Sequence, residues 1–240
     1  MSKIAIIGYG NVGFHFAKVL SHDHHVSIYS RNPVEEEINA LDSFKADGYD
    51  FVIISVSDDA IKKVAESFDT SETIVLHTSG TRPLADLVHH AKRGVIYPLQ
   101  TFSREKEIDF NQMQAFIEAS SGMEENISEL AKSITPNIRE VNSKARAKIH
   151  LAAVFACNFS NHMFHIAENF LKEVDLEFQD IRSLVEETVK KAMELNPSQS
   201  QTGPAIRGDV STLALQENLI EDDRLKEVYR VITNSIQTHH

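Results

Sequence analysis

The chain has 240 residues, of which 42% are hydrophobic, 25% charged and 8% aromatic. This composition excludes wholesale disorder and allows one large domain or two modest ones with a real core. Lys and Arg number 24 against 35 Asp and Glu, a formal charge of -11. No basic run interrupts that acidity, so a nucleic-acid partner is not expected.

The single cysteine, Cys157, excludes an intrachain disulfide and a thiolate-rich metal site. It fits a reducing, cytoplasmic location. No apolar stretch reaches the roughly 18 residues of a membrane span, and the short apolar run near the start lacks the shape of a leader. No membrane partner is therefore expected. Of the 12 histidines, His22, His24 and His25 cluster at a turn. They lack the accompanying carboxylate or cysteine spacing of a metal site, so no metal is expected.

In chain order, the first half alternates strand-like and helix-like segments. Residues 3–7 form an apolar run continuous enough to be buried on both faces. Residues 12–20 have helical spacing, with Val12, Phe16, Val19 and Leu20 on one side. Strands are predicted at 26–29, 51–56, 73–77 and 94–97, with helices at 59–68 and 83–90 between them. A strand at 114–118, a helix at 123–134 and a strand at 138–141 complete the layer. This alternation predicts a mostly parallel, doubly wound sheet of Rossmann type.

From residue 143 the pattern becomes helical. Residues 144–174 contain neither Pro nor Gly and carry a broad apolar face that includes Leu151, Phe155, Phe159, Ile166 and Phe170. Such a helix would be about 45 Å long, a rod connecting two domains. Helices at 178–195, around 211–218 and at 222–236 follow, with a loop at 196–204. The expected organisation is an α/β domain over 1–142 and an all-α substrate and dimerisation domain over 143–240. The wide apolar face predicts a twofold homodimer.

Gly8-Tyr9-Gly10-Asn11-Val12-Gly13 matches G-x-G-x-x-G, after a predicted strand and at the start of a predicted helix. In that context Gly8 allows the tight turn, Gly10 admits a pyrophosphate and Gly13 lets helix and strand pack closely. The helix N-terminus offers N–H groups and partial positive charge to the anion, so the domain over 1–142 is expected to bind a dinucleotide. An NAD site usually has an acid at the end of the second strand, to bond the ribose 2′-OH. Here that strand ends Tyr29-Ser30-Arg31-Asn32, and the first acid is Glu35. Arg31 can pair a 2′-phosphate, with Ser30 and Asn32 donating hydrogen bonds, so NADP(H) is the expected cofactor, preferred over NADH.

The GYGNVG start, the strand ending Ser-Arg, and the runs IISVSDDAI, LHTSGT, YPLQTF, HLAAVFACNFSNH and QTGPAIRGD resemble a group of bacterial Rossmann-like proteins. These carry a C-terminal helical domain of unknown function. The group is similar to pyrroline-5-carboxylate reductases, deazaflavin-dependent NADP reductases and the wider β-hydroxyacid dehydrogenase and ketopantoate reductase superfamily. The resemblance covers nearly the whole chain. It implies an NADP-dependent oxidoreductase acting on a C=O or C=N group of a small acid, ketopantoate among the candidates. It also implies that Ser55-Val56-Ser57 passes the nicotinamide-side ribose and that the Ser79-Gly80 loop holds substrate.

Tyr97 and Pro98 end another predicted strand and could wall the nicotinamide ring. On the long helix, His150, Asn158 and Asn161 recur among apolar residues, and buried polar groups are costly unless paired or used. His150 is the expected proton donor, since imidazole as a class titrates near neutrality, and Asn158 would orient the carbonyl or imine. The same spacing would serve two core polar residues bonded to their neighbours. The β-hydroxyacid dehydrogenase pattern of Lys followed four on by Asn is absent, because Lys148 is followed by Ala152. That departure leaves open an alternative reading, a non-catalytic dinucleotide sensor or partner-binding protein. In the run 201–209, Arg207 is the expected carboxylate clamp and Asp209 its anchor or a helix cap.

Overall fold

Residues 3–7 read KIAII, and both faces of that strand are covered. In the computed structural model, which describes residues 1–33 and 38–239, β1 (Lys3–Ile7) turns Ile4 and Ile6 into one core cluster and Ala5 and Ile7 into another. Alternate residues of a strand point to opposite faces, so a continuous apolar run is what a sheet covered on both sides requires. Glu35, the first acid after the second strand, lies outside the described residues, as does His240.

The sheet has eight strands in the order β3-β2-β1-β4-β5-β6-β7-β8. These are β2 (His25–Ser30), β3 (Ile38–Ala40), β4 (Phe51–Ile54), β5 (Ile74–His77), β6 (Arg93–Leu99), β7 (Gln114–Ala119) and β8 (Asn137–Glu140). Every pairing is parallel except β6 with β7. One face is covered by α1 (Asn11–Leu20) and α3 (Glu124–Lys132), through Phe16, Leu20, Ile127 and Leu130. The other is covered by α2 (Asp58–Ala65), through Ile61 and Ala65. Each large side chain buried this way contributes roughly 1.5–3 kcal/mol.

The register sets the functional edge. Ile7 lies opposite Tyr29 and Ile54, and Ile54 opposite His77. The residues that follow, Gly8, Ser30, Ser55 and Thr78, therefore leave the sheet at one level. The strand order reverses between β1 and β4, and ligands of open α/β sheets bind outside the carboxyl ends of strands at such a switch point.

Several predicted elements differ in detail. The three-residue strand β3 is too short to show a period. Residues 84–87 form a 3-10 turn rather than the expected helix. The strand expected at 51–56 ends at Ile54, so Ser55-Val56-Ser57 is a connecting turn. The long helix is α4 (Ser143–Ala153), a π segment (Val154–Phe159) and α5 (Ser160–Lys172). The helical pattern begins at residue 143, yet the compact units are Met1–Ser160 and Asn161–His240. The reason lies in Arg146, which joins α4 to the sheet.

Arg146 is fully buried. Its guanidinium pairs with Glu118 at the end of β7 and donates to the carbonyls of Ser79 (3.2 Å) and Arg82. Ser143 adds two donors to Glu118, its backbone N–H at 3.0 Å and its hydroxyl at 2.7 Å. Asn142 caps α4 by accepting from the Ala145 N–H at 2.9 Å.

The second unit contains α5, α6 (Arg182–Leu195), α7 (Pro197–Ser200), α8 (Pro204–Arg207), α9 (Val210–Asn218) and α10 (Asp223–His239). Asp209 caps α9, accepting from the Thr212 N–H at 3.2 Å and hydroxyl at 2.7 Å. Among the described residues no helix is long and apolar enough to cross a membrane.

Removing one partner of a buried ion pair strands the other charge. Glu118→Gln is expected to cost about 3–5 kcal/mol of stability, whereas Glu118→Leu with Arg146→Met should cost much less. Urea unfolding of both variants checks this, and a loss below about 1 kcal/mol for Glu118→Gln would contradict it.

Candidate functional site

The glycine turn is built by close approach. Gly8 has φ +103°, and a Cβ there would lie 2.3 Å from the Ser55 carbonyl oxygen. A Cβ on Gly13 would lie 2.1 Å from the Gly8 carbonyl oxygen. Both positions admit only glycine, which fixes β1, β4 and the start of α1 against one another. A Cβ on Gly10 would meet nothing within 4 Å, so its outer side is open to a ligand. Gly13 packs beneath the turn and does not line the cleft.

A second segment holds this turn from the other side. After β6, the Phe102 carbonyl accepts from the Asn11 side chain at 2.9 Å and the Ser103 carbonyl bonds His15 Nε2 at 2.8 Å. Arg104 donates to the Tyr9 carbonyl and sits over the Tyr9 ring, 4.7 Å from its centroid. Nothing in the sequence period marks these contacts, since they tie a loop to residues some ninety positions earlier.

The cleft along this edge has a volume of about 860 Å³. Gly8, Tyr9, Gly10, Asn11 and Val12 line it from the turn, and Ser30, Arg31 and Asn32 from the end of β2. Ser55, Val56 and Ser57 follow β4, and Ser79, Gly80, Tyr97, Pro98 and His150 complete it. The fold thus gathers most of the residues expected from the sequence. Asn158 is exposed in the π segment and does not line the cleft. Arg207 is exposed in the second unit.

His150 and Arg146 are one helical turn apart and so share a face of α4. Tyr97 Oη lies 2.9 Å from His150 Nδ1. Gly80 makes room for this pair, because a Cβ there would be 2.8 Å from both His150 Nδ1 and Tyr97 Cζ. Burial holds the Tyr97 phenol above its ordinary pKa, so it stays protonated at neutral pH. With Nδ1 bonded to the phenol, Nε2 is the imidazole atom left for a reacting group.

Ser79 has a more structural part than its sequence context implies. It is only 7% exposed, and its Oγ accepts from the N–H groups of Thr81 (3.1 Å) and Arg82 (3.0 Å). Thr81 in turn donates its hydroxyl to Asp58. His77 Nδ1 accepts from the Ser79 N–H at 3.2 Å. Burial, reinforced by the Arg146 charge, lowers the His77 pKa to about 4. His77 is therefore a neutral acceptor that shapes the loop. Sequence reasoning missed His77 and Arg146 because a charged or titratable side chain ordinarily faces solvent. The one sequence signal for Arg146 is its four-residue offset from His150.

A separate cavity of about 270 Å³ in the second unit is lined mostly by apolar side chains such as Met163, Phe170 and Leu225. Among the described residues no group of His, Cys, Asp and Glu could hold a metal ion.

The family model for a domain of unknown function, DUF2520, matches residues 113–236, from the end of the sheet into α10. The solved structure of a candidate NADP oxidoreductase from Bacteroides fragilis is 32% identical, with a TM-score of 0.86 over 99% of this chain and 98% of that one. The chain belongs to this DUF2520 family, and in this chain the matched segment takes in the last strands of a Rossmann-type sheet and the helical region that follows. A Thermotoga maritima protein is 20% identical, with a TM-score of 0.75 over 98% and 97% of the two chains. A pyrroline carboxylate reductase from Plasmodium falciparum, solved with NADP bound, is 10% identical, with a TM-score of 0.63 over 99% and 98%. These two share the fold. No curated protein matches the sequence.

The His77 shift has a direction in pH. An unfolded histidine takes up a proton near pH 6.5, while the folded one does so only near pH 4. The unfolded state thus binds the extra proton first, and stability falls as pH drops from about 6.5 to 4, by about 3 kcal/mol from this group. His77→Gln should flatten that part of the curve. Unfolding free energies measured between pH 7 and 4 on both proteins check it, and parallel curves would contradict it.

Proposed function

We propose that this protein is an NADP(H)-dependent oxidoreductase that reduces a C=O or C=N group on a small acid. One observation carries the reading: a single cleft holds both the open glycine turn and the Tyr97–His150 pair. The residues fit the cofactor. Gly10 opens on the cleft where a pyrophosphate would need backbone contact, and the start of α1 would receive its charge. Ser30, Arg31 and Asn32 would hold the adenosine 2′-phosphate, and Ser55-Val56-Ser57 would flank the nicotinamide-side ribose. The Bacteroides fragilis relative named as a candidate NADP oxidoreductase supports this assignment.

When bound, the nicotinamide supplies or takes the hydride. The chain's own share is positioning and proton handling. His150 holds the proton at Nε2 and gives it to the substrate oxygen or nitrogen. Tyr97 fixes the imidazole through Nδ1, and Gly80 lets both rings sit at the cleft floor. The Ser79 loop shapes the substrate side. The sequence also offers Asn158 to orient the carbonyl or imine and Arg207 to bind a carboxylate; neither lines this cleft, and Asn158→Ala and Arg207→Ala test whether either takes part in turnover. The cytoplasm fits a chain with one cysteine.

We further expect a homodimer. Among the described residues of the second unit only Ala205 and Ile220 are buried, while Leu184, Met193 and Val231 are exposed. A helical unit with so little of its apolar surface covered needs a partner surface, and a second copy supplies one by symmetry. Light scattering of dilute protein should give about 54 kDa, twice the chain mass of 27.0 kDa. A value at the chain mass would overturn this.

The catalytic test is NADPH oxidation with a panel of small oxo and imino acids, ketopantoate included. His150→Asn should lower turnover by roughly 10²–10⁴-fold while NADPH affinity holds. Tyr97→Phe should lower it less, because the imidazole remains. Unchanged turnover in His150→Asn would remove His150 from the chemistry. Tight NADPH binding with no turnover on any member of the panel would favour the non-catalytic sensor.

A further inference from the structure

The cleft contains a cation that neither the glycine turn nor the Ser30–Asn32 segment accounts for. Ala60, Lys63, Val64 and Ser67 all line it. Their spacing of three, four and seven is one stripe of a helix. Ile61 and Ala65 are buried in the core. Lys62 falls off the cleft stripe and meets Glu66 at 3.9 Å. Two adjacent lysines thus have different surroundings. Lys62 has a carboxylate, whereas Lys63 opens on the cleft and makes no ion pair among the described residues.

The position of Lys63 along the cleft follows from its neighbour. Val64, Tyr29 and Leu41 pack against the same core cluster and line the same cleft, so this turn of α2 and the end of β2 share the wall of the cleft on that face of the sheet. Arg31 lines the cleft and likewise makes no ion pair among the described residues. Asp58 lines the same cleft but accepts from Thr81; two cations of one cleft that make no ion pair among the described residues repel each other and attract an anion.

We propose that Lys63 is a specificity-determining residue: together with Arg31 it holds a phosphomonoester dianion on the adenosine ribose, the 2′-phosphate. Arg31 supplies a planar fork and Lys63 a compact point charge, so the two are complementary rather than redundant. The inference rests on the NADP(H) reading above and deepens it, by naming the second charge that separates the two dinucleotides.

Titration of wild type, Lys63→Met and Lys62→Met with NADPH and NADH tests it, with melting temperatures to verify folding. Methionine keeps the apolar stem and removes only the charge. Lys63→Met should weaken NADPH by about five- to twentyfold and NADH by less than about twofold. Lys62→Met carries the same charge change on the same helix and should leave the preference intact. Equal losses in the two variants would reduce the effect to the general field and overturn the proposal, as would an unchanged preference in Lys63→Met. A wild type that binds NADPH and NADH equally would overturn the cofactor reading itself, and the inference with it, before any variant is compared. If Lys63→Met fails to fold, Lys63→Gln carries the same expectation.

Discussion

A fully buried guanidinium, that of Arg146, organises the site. A charge taken out of water is tolerated only if it is paired and its donors are used. Arg146 meets that requirement through Glu118 and the carbonyls of Ser79 and Arg82. Three segments are thereby fixed at once: the end of β7, the turn after β5 and the first turn of α4. His150 follows one helical turn later, so its place beside Tyr97 is inherited from the arginine. The same charge helps keep His77 neutral, and the neutral ring accepts the Ser79 N–H. The Ser79 loop is therefore held from below by polar groups that never reach solvent.

The glycine turn depends on a second constraint, steric rather than electrostatic. Gly8 and Gly13 have no room for a side chain, so strand, turn and helix stand as close as backbones allow. The segment after β6 then clamps the turn through Asn11, His15 and Tyr9. The two halves of the cleft are linked, because β6 ends between them: Tyr97 belongs to the His150 pair and Phe102 to the clamp.

What the sequence reveals follows from range. The G-x-G-x-x-G turn, the double-faced run of β1 and the Ser30–Asn32 ending are local, and each is legible because its chemistry lies within a few residues. Arg146, His77 and Arg104 are not legible, since their partners are distant in sequence and their side chains have the polarity of a surface. The π segment is invisible for another reason. It is a shift in hydrogen bonding within an unbroken helical run, with no Pro or Gly to mark it. It begins after His150 and contains Asn158, so the simple helical spacing that joins those two residues on paper does not carry through the structure. The unit boundary moves from residue 142 to Ser160 on the same account as the site itself. Periodicity marks where a helix begins, whereas contacts made by Arg146 and His150 decide which body it belongs to.

The charge distribution completes the physical logic. An acidic chain, at -11, would repel a dinucleotide phosphate if its acids were spread evenly. They are not. The first turns of α2 and α3 carry Asp58, Asp59, Glu124 and Glu125, which offset the partial positive charge of those helix starts. The first turn of α1 carries no acid, and Gly10 offers no side-chain cap. Its N–H groups and dipole are left for an outside anion. Further along the cleft, Arg31 and Lys63 stand without carboxylate partners among the described residues. Positive potential is thus withheld from internal neutralisation along one line, from the glycine turn to the end of β2. The chain as a whole carries -11, so attraction of an anion to this cleft rests on local arrangement rather than net charge.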